Sequence, residues 1–369
     1  MKNFPGILLA LLLSACGGGS DGNAAPPVSG DMWLPVTRAI EAAATQFPSG
    51  LAVEIATPGG VVYSHAIGNF SNASVVPLAS AAKWVSATTI LRLVDQGVIT
   101  LDTKASSLLR DRDGMLWTGA MADISLRHLL SFTSGISGDV PSAENFSITL
   151  KEAVHRIYEN QRAVALPPQS SFDYGNTHLR IAARMVEVAT GKTWRQIFDE
   201  QLRLPFGWSA ESIYSRGFPN PNPAGELWAS GLEYMRFMMM QLRGGVDGST
   251  RLISTAMLAE QRKEQFAPST QIRASPYTVL GKSFHYGLGN WRECAQPAAP
   301  ALCDAALLVS STGSFGWAPW IEPEHGYAAI IMTQQSAGNF APSELLKNQL
   351  AGLIPSILAQ NPPVIRMVP

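Results

Sequence analysis

Apolar positions change their spacing twice along the chain, and the changes divide it into three zones. Near the start, Leu34, Val36, Ile40 and Ala43 recur at helical spacing and predict a helix over Trp33 to Phe47. Leu51 to Ile55 and Val61 to Ile67 read as two strands, joined by the turn signal Thr57-Pro58-Gly59-Gly60. The run Trp84 to Val94 is apolar on most sides, which predicts a buried helix ending at Gly97, a residue suited to the C′ position. From about Asp102 to Met240 the spacing is helical with long loops. Leu126 to Leu130, Lys151 to Glu159, His178 to Ala189, Thr193 to Arg203 and Gly231 to Arg243 are the helix candidates. Strand signals return at Phe284 to Trp291, Phe315 to Ile321 and Tyr327 to Thr333, before a closing helix over Ser343 to Gln360. Strands at both ends around a helical middle predict an α+β fold, with one antiparallel sheet built from both termini and a helical insert over about 103–276.

Composition narrows the class. The chain has 369 residues, 46% hydrophobic and 15% charged, with a formal net charge of -1, enough for a large core and without the basic excess that nucleic acid demands. The six histidines are scattered and none forms an H-x-x-x-H pair, so no metal site and no cofactor is expected. The methionines at 235, 238, 239 and 240 read as core filler.

The first residues read as a targeting segment. Lys2 precedes a short apolar stretch from Ile7 to Leu13, and Leu13-Ser14-Ala15-Cys16 is similar to a bacterial lipobox, cleaved before a cysteine that takes the lipid. Residues 1–15 are then a signal peptide, 16–31 a Gly- and Pro-rich tether, 32–361 the folded domain and 362–369 a tail. The expectation is a cell-envelope protein anchored at Cys16 to the outer membrane and facing the periplasm. In that oxidising setting Cys294 and Cys303 either bridge or remain two thiols.

The chemistry begins at Ser80-Ala81-Ala82-Lys83. Three residues apart on a helix, a serine and a lysine share one face, so the amine can reach the hydroxyl. A serine becomes a nucleophile when a neighbouring base takes its proton, and a buried lysine can be that base. An isolated S-x-x-K is more often a helix cap beside a solvated lysine, but the apolar helix behind this one turns the pair inward. Tyr174, in Tyr174-Gly175-Asn176, supplies a phenol that both donates and accepts.

Taken in order, Ser80-x-x-Lys83, Tyr174-Gly175-Asn176 and Ser311-Thr312-Gly313 resemble the three signature elements of the serine β-lactamase and penicillin-binding-protein superfamily. The tyrosine form of the middle element is similar to that of class C β-lactamases, D-alanyl-D-alanine carboxypeptidases and family VIII esterases. The resemblance implies an acyl-enzyme on Ser80, with Lys83 and Tyr174 sharing the acid–base work. It implies that Asn176 binds a substrate carbonyl or the Lys83 amine, and that the N–H groups of Ser80 and Ser314 form the oxyanion hole. Expected partners are small esters, amides or β-lactams. In one respect the chain departs from the pattern. Ser311 stands where β-lactamases and transpeptidases usually place a lysine that meets a substrate carboxylate. A desolvated carboxylate without a cation is costly, which favours a neutral ester or amide unless Lys282 or Arg292 restores the charge. The expectation is therefore a carboxylesterase-like serine hydrolase. The alternatives are a β-lactamase or D,D-peptidase, and a catalytically silent envelope-binding protein on the same fold.

Overall fold

The computed structural model describes residues 32–294 and 307–360, apart from the side chains at 111 and 112. Seven strands form one sheet, in the spatial order Gly60–Ile67, Leu51–Thr57, Tyr327–Thr333, Ala318–Glu322, Leu308–Ser310, Trp291–Glu293 and His285–Tyr286. Every pairing in it is antiparallel. The strand Leu51–Thr57 lies between its hairpin partner and the strand Tyr327–Thr333, so early and late parts of the chain pair side by side in one sheet, with Val53 opposite His65 on one side and Ile331 on the other.

The alternation of side chains along Leu51–Thr57 sorts the two faces. Leu51, Val53 and Ile55 pack with Ile40 of the first helix, Leu34–Ala43, and with Leu350 and Ile354 of the last, Ala341–Gln360. Ala52 and Ala56 point the other way, toward the helix Ala82–Asp95 and the helical region beyond it. A strand covered on both faces is apolar at nearly every position, as this one is. The helix Ala82–Asp95 is buried through Leu93, so its apolar circumference reflects its place at the centre of the larger core. Gly97 follows its cap with φ +75° and Val98 donates back to the Leu93 carbonyl at 3.0 Å, a left-handed exit that glycine makes without strain. Between Ala105 and Leu280 the chain is mostly helical, interrupted by short strand pairs such as Ser171–Asp173 with Gln271–Ala274. Among the described residues, no helix is long and apolar enough to cross a membrane.

Several sequence expectations need correction. The single strand predicted over Phe284 to Trp291 is two, because Gly287 donates to the Asn290 carbonyl at 2.9 Å and Gly289 takes φ +82°, closing a turn between them. The strand expected from Phe315 begins at Ala318, since residues before it turn beside the third motif. Thr193 to Arg203 is a short α-helix followed by a π turn, Asp199–Arg203. The helices Ala105–Asp113 and Thr255–Arg262 and the strand Leu308–Ser310 went unanticipated. Cys294 is disulfide-bonded, while Cys303, its expected partner, and Cys16 lie outside the described residues.

Candidate active site

Ser80 stands in a single 3-10 turn, Ala79–Ala81, that feeds the helix Ala82–Asp95. Ala79, just before it, is held at φ +47°, a left-handed conformation that is strained for a residue with a Cβ. The third motif packs directly on this turn. A Cβ on Gly313 would lie 2.2 Å from the Leu78 carbonyl oxygen, so only glycine allows the approach, and Ser311 Oγ donates to the Ser80 carbonyl at 3.2 Å. The second motif is fixed in the same way. A Cβ on Gly175 would lie 2.2 Å from the Gly138 carbonyl oxygen, and the Tyr174 N–H donates to Ala274 at 3.1 Å. The Tyr174 ring sits 4.9 Å from Trp291 and edge-on to Phe132 at 5.4 Å.

These contacts bring the three expected groups together. Lys83 Nζ donates to Ser80 Oγ at 3.0 Å and to the Ala224 carbonyl at 2.9 Å, and lies 4.6 Å from the centre of the Tyr174 ring. Ser80 and Trp291 both pull the Tyr174 phenol down, against the larger effect of burial. Lys83 is 1% exposed, and burial pulls its amine down to about 7, against the opposing fields of Asp139 and Glu144. Near neutrality a substantial share of the amine is therefore unprotonated. Burial moves Tyr174 the other way, well above the ordinary phenol range, with Ser80 and Trp291 offsetting only part of the effect, so the phenol keeps its proton. His178 is also buried close by, but burial and then the Lys83 charge push it down to about 3, so it stays neutral and is no competing base.

Ser80, Tyr174, Thr312 and Ser314 line a cavity of about 210 Å³, completed by Pro276, Tyr277, Gly338 and Phe340. As a residue of the first turn, Ser80 has an N–H with no intrahelical acceptor, and the Ser314 N–H donates to no described backbone carbonyl. Asn176 is placed differently from one of its two expected roles. Among the described residues no hydrogen bond joins it to Lys83, whose second acceptor is Ala224, and its own backbone N–H donates to Asp139 Oδ1 at 3.0 Å. The proposed substitute cations are elsewhere. Arg292 packs beside Glu264, Nε to Oε2 3.5 Å, and donates to the Arg262 carbonyl, while Lys282 borders a separate hollow. That hollow also holds Glu322, Glu324 and His325, the metal-capable trio among the described residues, so it lies apart from Ser80. The aromatic residues Trp194, Phe206, Trp208 and Tyr214 are core rather than cavity wall, and the Tyr214 hydroxyl is paired with Ser86.

Sequence reasoning did not find Tyr277, Phe340, Ala224 or Asp139 as parts of the site. It also missed the buried cluster behind the third motif, where Lys347 bridges Glu293 and Glu344 and these carboxylates accept from Ser310 and Thr312. Burial alone would lower Lys347, but the two carboxylates outweigh it and hold its amine protonated, whereas burial raises Glu293.

A family model described as "Beta-lactamase" matches residues 37–353. Penicillin-binding protein 4 of Amycolatopsis lactamdurans is 28% identical over 230 residues, covering 52% of this chain and 57% of the relative, so the match spans little more than half of that protein. A candidate β-lactamase of Bacteroides dorei DSM 17855 superposes with a TM-score of 0.73 at 26% identity, covering 87% of this chain and 98% of the other. A hydrolase with promiscuous acyltransferase activity shares the fold at a TM-score of 0.64 and 17% identity, over 86% of this chain and 99% of its own.

Proposed function

The chain belongs to the β-lactamase family, within the serine-hydrolase superfamily, and on that footing we propose that it is a carboxylesterase-like hydrolase working through a Ser80 acyl-enzyme. The observation that carries this reading is the Lys83 Nζ to Ser80 Oγ hydrogen bond, 3.0 Å long and made by an amine that burial has pulled to about 7. Neutral Lys83 takes the Ser80 proton as Oγ attacks the substrate carbonyl. The oxyanion is held by the N–H groups of Ser80 and Ser314, each such donor being worth roughly 2.7–4 kcal/mol in the transition state. The proton returns to the leaving alkoxide, with the protonated Tyr174 phenol placed to relay it, and the alcohol departs. Water then adds to the acyl carbonyl while Lys83 accepts its proton. Collapse expels Ser80 Oγ, which is reprotonated, and the acid leaves.

The preference for an ester over a β-lactam is supported by the cavity lining, where none of the described residues is a lysine or arginine that could meet a carboxylate. Likeness to a penicillin-binding protein favours β-lactams or D-alanyl peptides as the second reading. Intact-mass spectrometry after brief mixing with short-chain esters and with penicillins separates them. An ester-derived adduct on Ser80 that clears by hydrolysis, absent in Ser80→Ala, is the expected result. A stable penicilloyl adduct with no ester turnover would favour the second reading, and no adduct from either panel would point to a silent binding protein.

The envelope location rests on residues 1–16 of the sequence. Labelled palmitate should enter the protein expressed in a Gram-negative host and be lost in Cys16→Ser; equal labelling of the variant would rule the anchor out.

A further inference from the structure

Three carbonyls of one loop, residues 220–224, each accept a hydrogen bond from a different side chain. Pro221 accepts from Arg180 Nη1 at 3.3 Å, Pro223 from Ser86 Oγ at 2.5 Å and Ala224 from Lys83 Nζ at 2.9 Å. Asn220, wholly buried, accepts from Arg180 Nη1 at 2.6 Å and donates through Nδ2 to the carbonyls of Ala143 and Asn145, both at 2.9 Å. Asn222 takes the Ala224 N–H on Oδ1 at 3.0 Å. The approach to the loop is strained. Ser215 and Arg216 are left-handed at φ +53° and +35°, and the Ser215 hydroxyl accepts the Asn222 N–H at 3.1 Å.

The same guanidinium brings charge to the loop. Arg180 is fully buried, and its Nη2 lies 2.8 Å from Glu144 Oε2. A buried ion pair adds little net stability, because lost hydration offsets the attraction. Its position matters more. Asp139 and Glu144 are the carboxylates whose fields reach Lys83 and oppose the effect of burial on its amine. Asp139 accepts the Asn176 N–H, while Glu144 is paired with Arg180. Among the described residues, Tyr174 and His178 also face Lys83, both uncharged near neutrality, and Glu226 shares the field of Arg180.

Resting on the Ser80 acyl-enzyme reading above, we propose that Arg180 is a positioning residue for Lys83. It braces the loop whose Ala224 carbonyl holds the amine, and its charge masks Glu144 from that amine. A neutral amine has two N–H bonds and one lone pair. With one N–H given to Ala224, the lone pair can face the Ser80 hydroxyl 3.0 Å away, so a displaced carbonyl turns the base from its proton. Without Arg180, Glu144 favours the protonated amine, which has no lone pair to offer.

Two measurements test this: kcat and KM against pH on a short-chain alkyl ester, and the pH titration of the Lys83 Cε resonance in isotope-labelled protein. Arg180→Met should move both titrations up by about one pH unit, and lower the high-pH plateau of kcat about tenfold with KM little changed. Arg180→Lys keeps the charge but not the fork that spans Glu144, Asn220 and Pro221. Its titrations should stay near the parent's while its plateau still falls. Glu144→Gln, at a partly exposed side chain, should move both titrations down, and added to Arg180→Met should return them near the parent's. A merely structural part would lower the melting temperature and leave both titrations in place, and that result would overturn the proposal. Titrations unmoved in Glu144→Gln would overturn the charge link even if no Arg180 variant folds. A plateau unchanged in a folded Arg180→Met would overturn the bracing of the loop. If no ester is turned over, the hydrolase reading has failed, while the Cε titration still decides whether Arg180 acts on Lys83.

Discussion

Lys83→Met is expected to lose about a thousandfold in kcat/KM and yet to melt at a higher temperature than the parent at pH 7. The activity loss follows from removing the only base hydrogen-bonded to Ser80 Oγ among the described residues, since positioned general bases contribute about 10² to 10⁴. The parent's kcat/KM should rise with pH through about 7, as the buried amine gives up its proton, and that limb should vanish in the variant. The stability gain has the same origin. Between pH 7 and 10.5 the unfolded lysine binds a proton that the folded one does not, so stability rises with pH across that window. Below it the folded protein carries a buried cation whose cost is of order 5 kcal/mol. Methionine removes that cost but leaves the Ala224 carbonyl without its donor, a loss of about 1–3 kcal/mol. The net gain is about 2 kcal/mol at pH 7 and disappears toward pH 10. Calorimetry at the two pH values checks the sign; a variant melting lower at pH 7 would show that the amine is not under this strain.

Lys347→Met should have the opposite effect on stability. Lys347 is fully buried and bonded to Glu293 and Glu344, so removing it leaves two carboxylates facing each other without a counter-charge. Breaking a buried pair in this way costs about 3–5 kcal/mol. The penalty carries a pH signature. Burial already raises Glu293, and loss of the Lys347 attraction raises it further, so a folded carboxyl binds its proton more readily than an unfolded one. That cost is absent below the unfolded carboxyl range and grows as pH climbs through the raised folded value. Urea unfolding at pH 5 and pH 8 should therefore show the larger deficit at pH 8. Glu293→Gln added to Lys347→Met should recover part of it, because one of the stranded charges is gone. Equal deficits at both pH values would mean that packing, not charge, had been lost.

Why the sequence showed one cluster and hid the other is a matter of distance. Ser80 and Lys83 are legible because a single helical turn joins them and the apolar run behind it declares the burial. Tyr174 is legible only as a motif, since nothing local says that Ala274 and Gly138 will carry it to Ser80. Ala224 enters through a backbone carbonyl, which has no sequence signature at all. The Glu293–Lys347–Glu344 cluster did leave a trace: Glu344, Lys347, Leu350 and Ile354 fall on one helical stripe, so two charged residues share the face that the apolar ones bury. The strands His285–Tyr286, Trp291–Glu293 and Leu308–Ser310 are too short for any periodicity to emerge, and two glycines broke the one run that seemed continuous.

The sheet that joins the two ends of the chain also sets a timetable. Ser80 and the Ser311 that braces it are 231 residues apart, and the strand flanking them on one side, Ala318–Glu322, comes later still. While the polypeptide is being made, Ser80 leaves the ribosome long before the third-motif wall that packs on its turn exists. A nascent or prematurely terminated chain carries a reactive serine in name only. On the Ser80 acyl-enzyme reading proposed above, activity can begin only once Tyr327–Thr333 has paired with Leu51–Thr57.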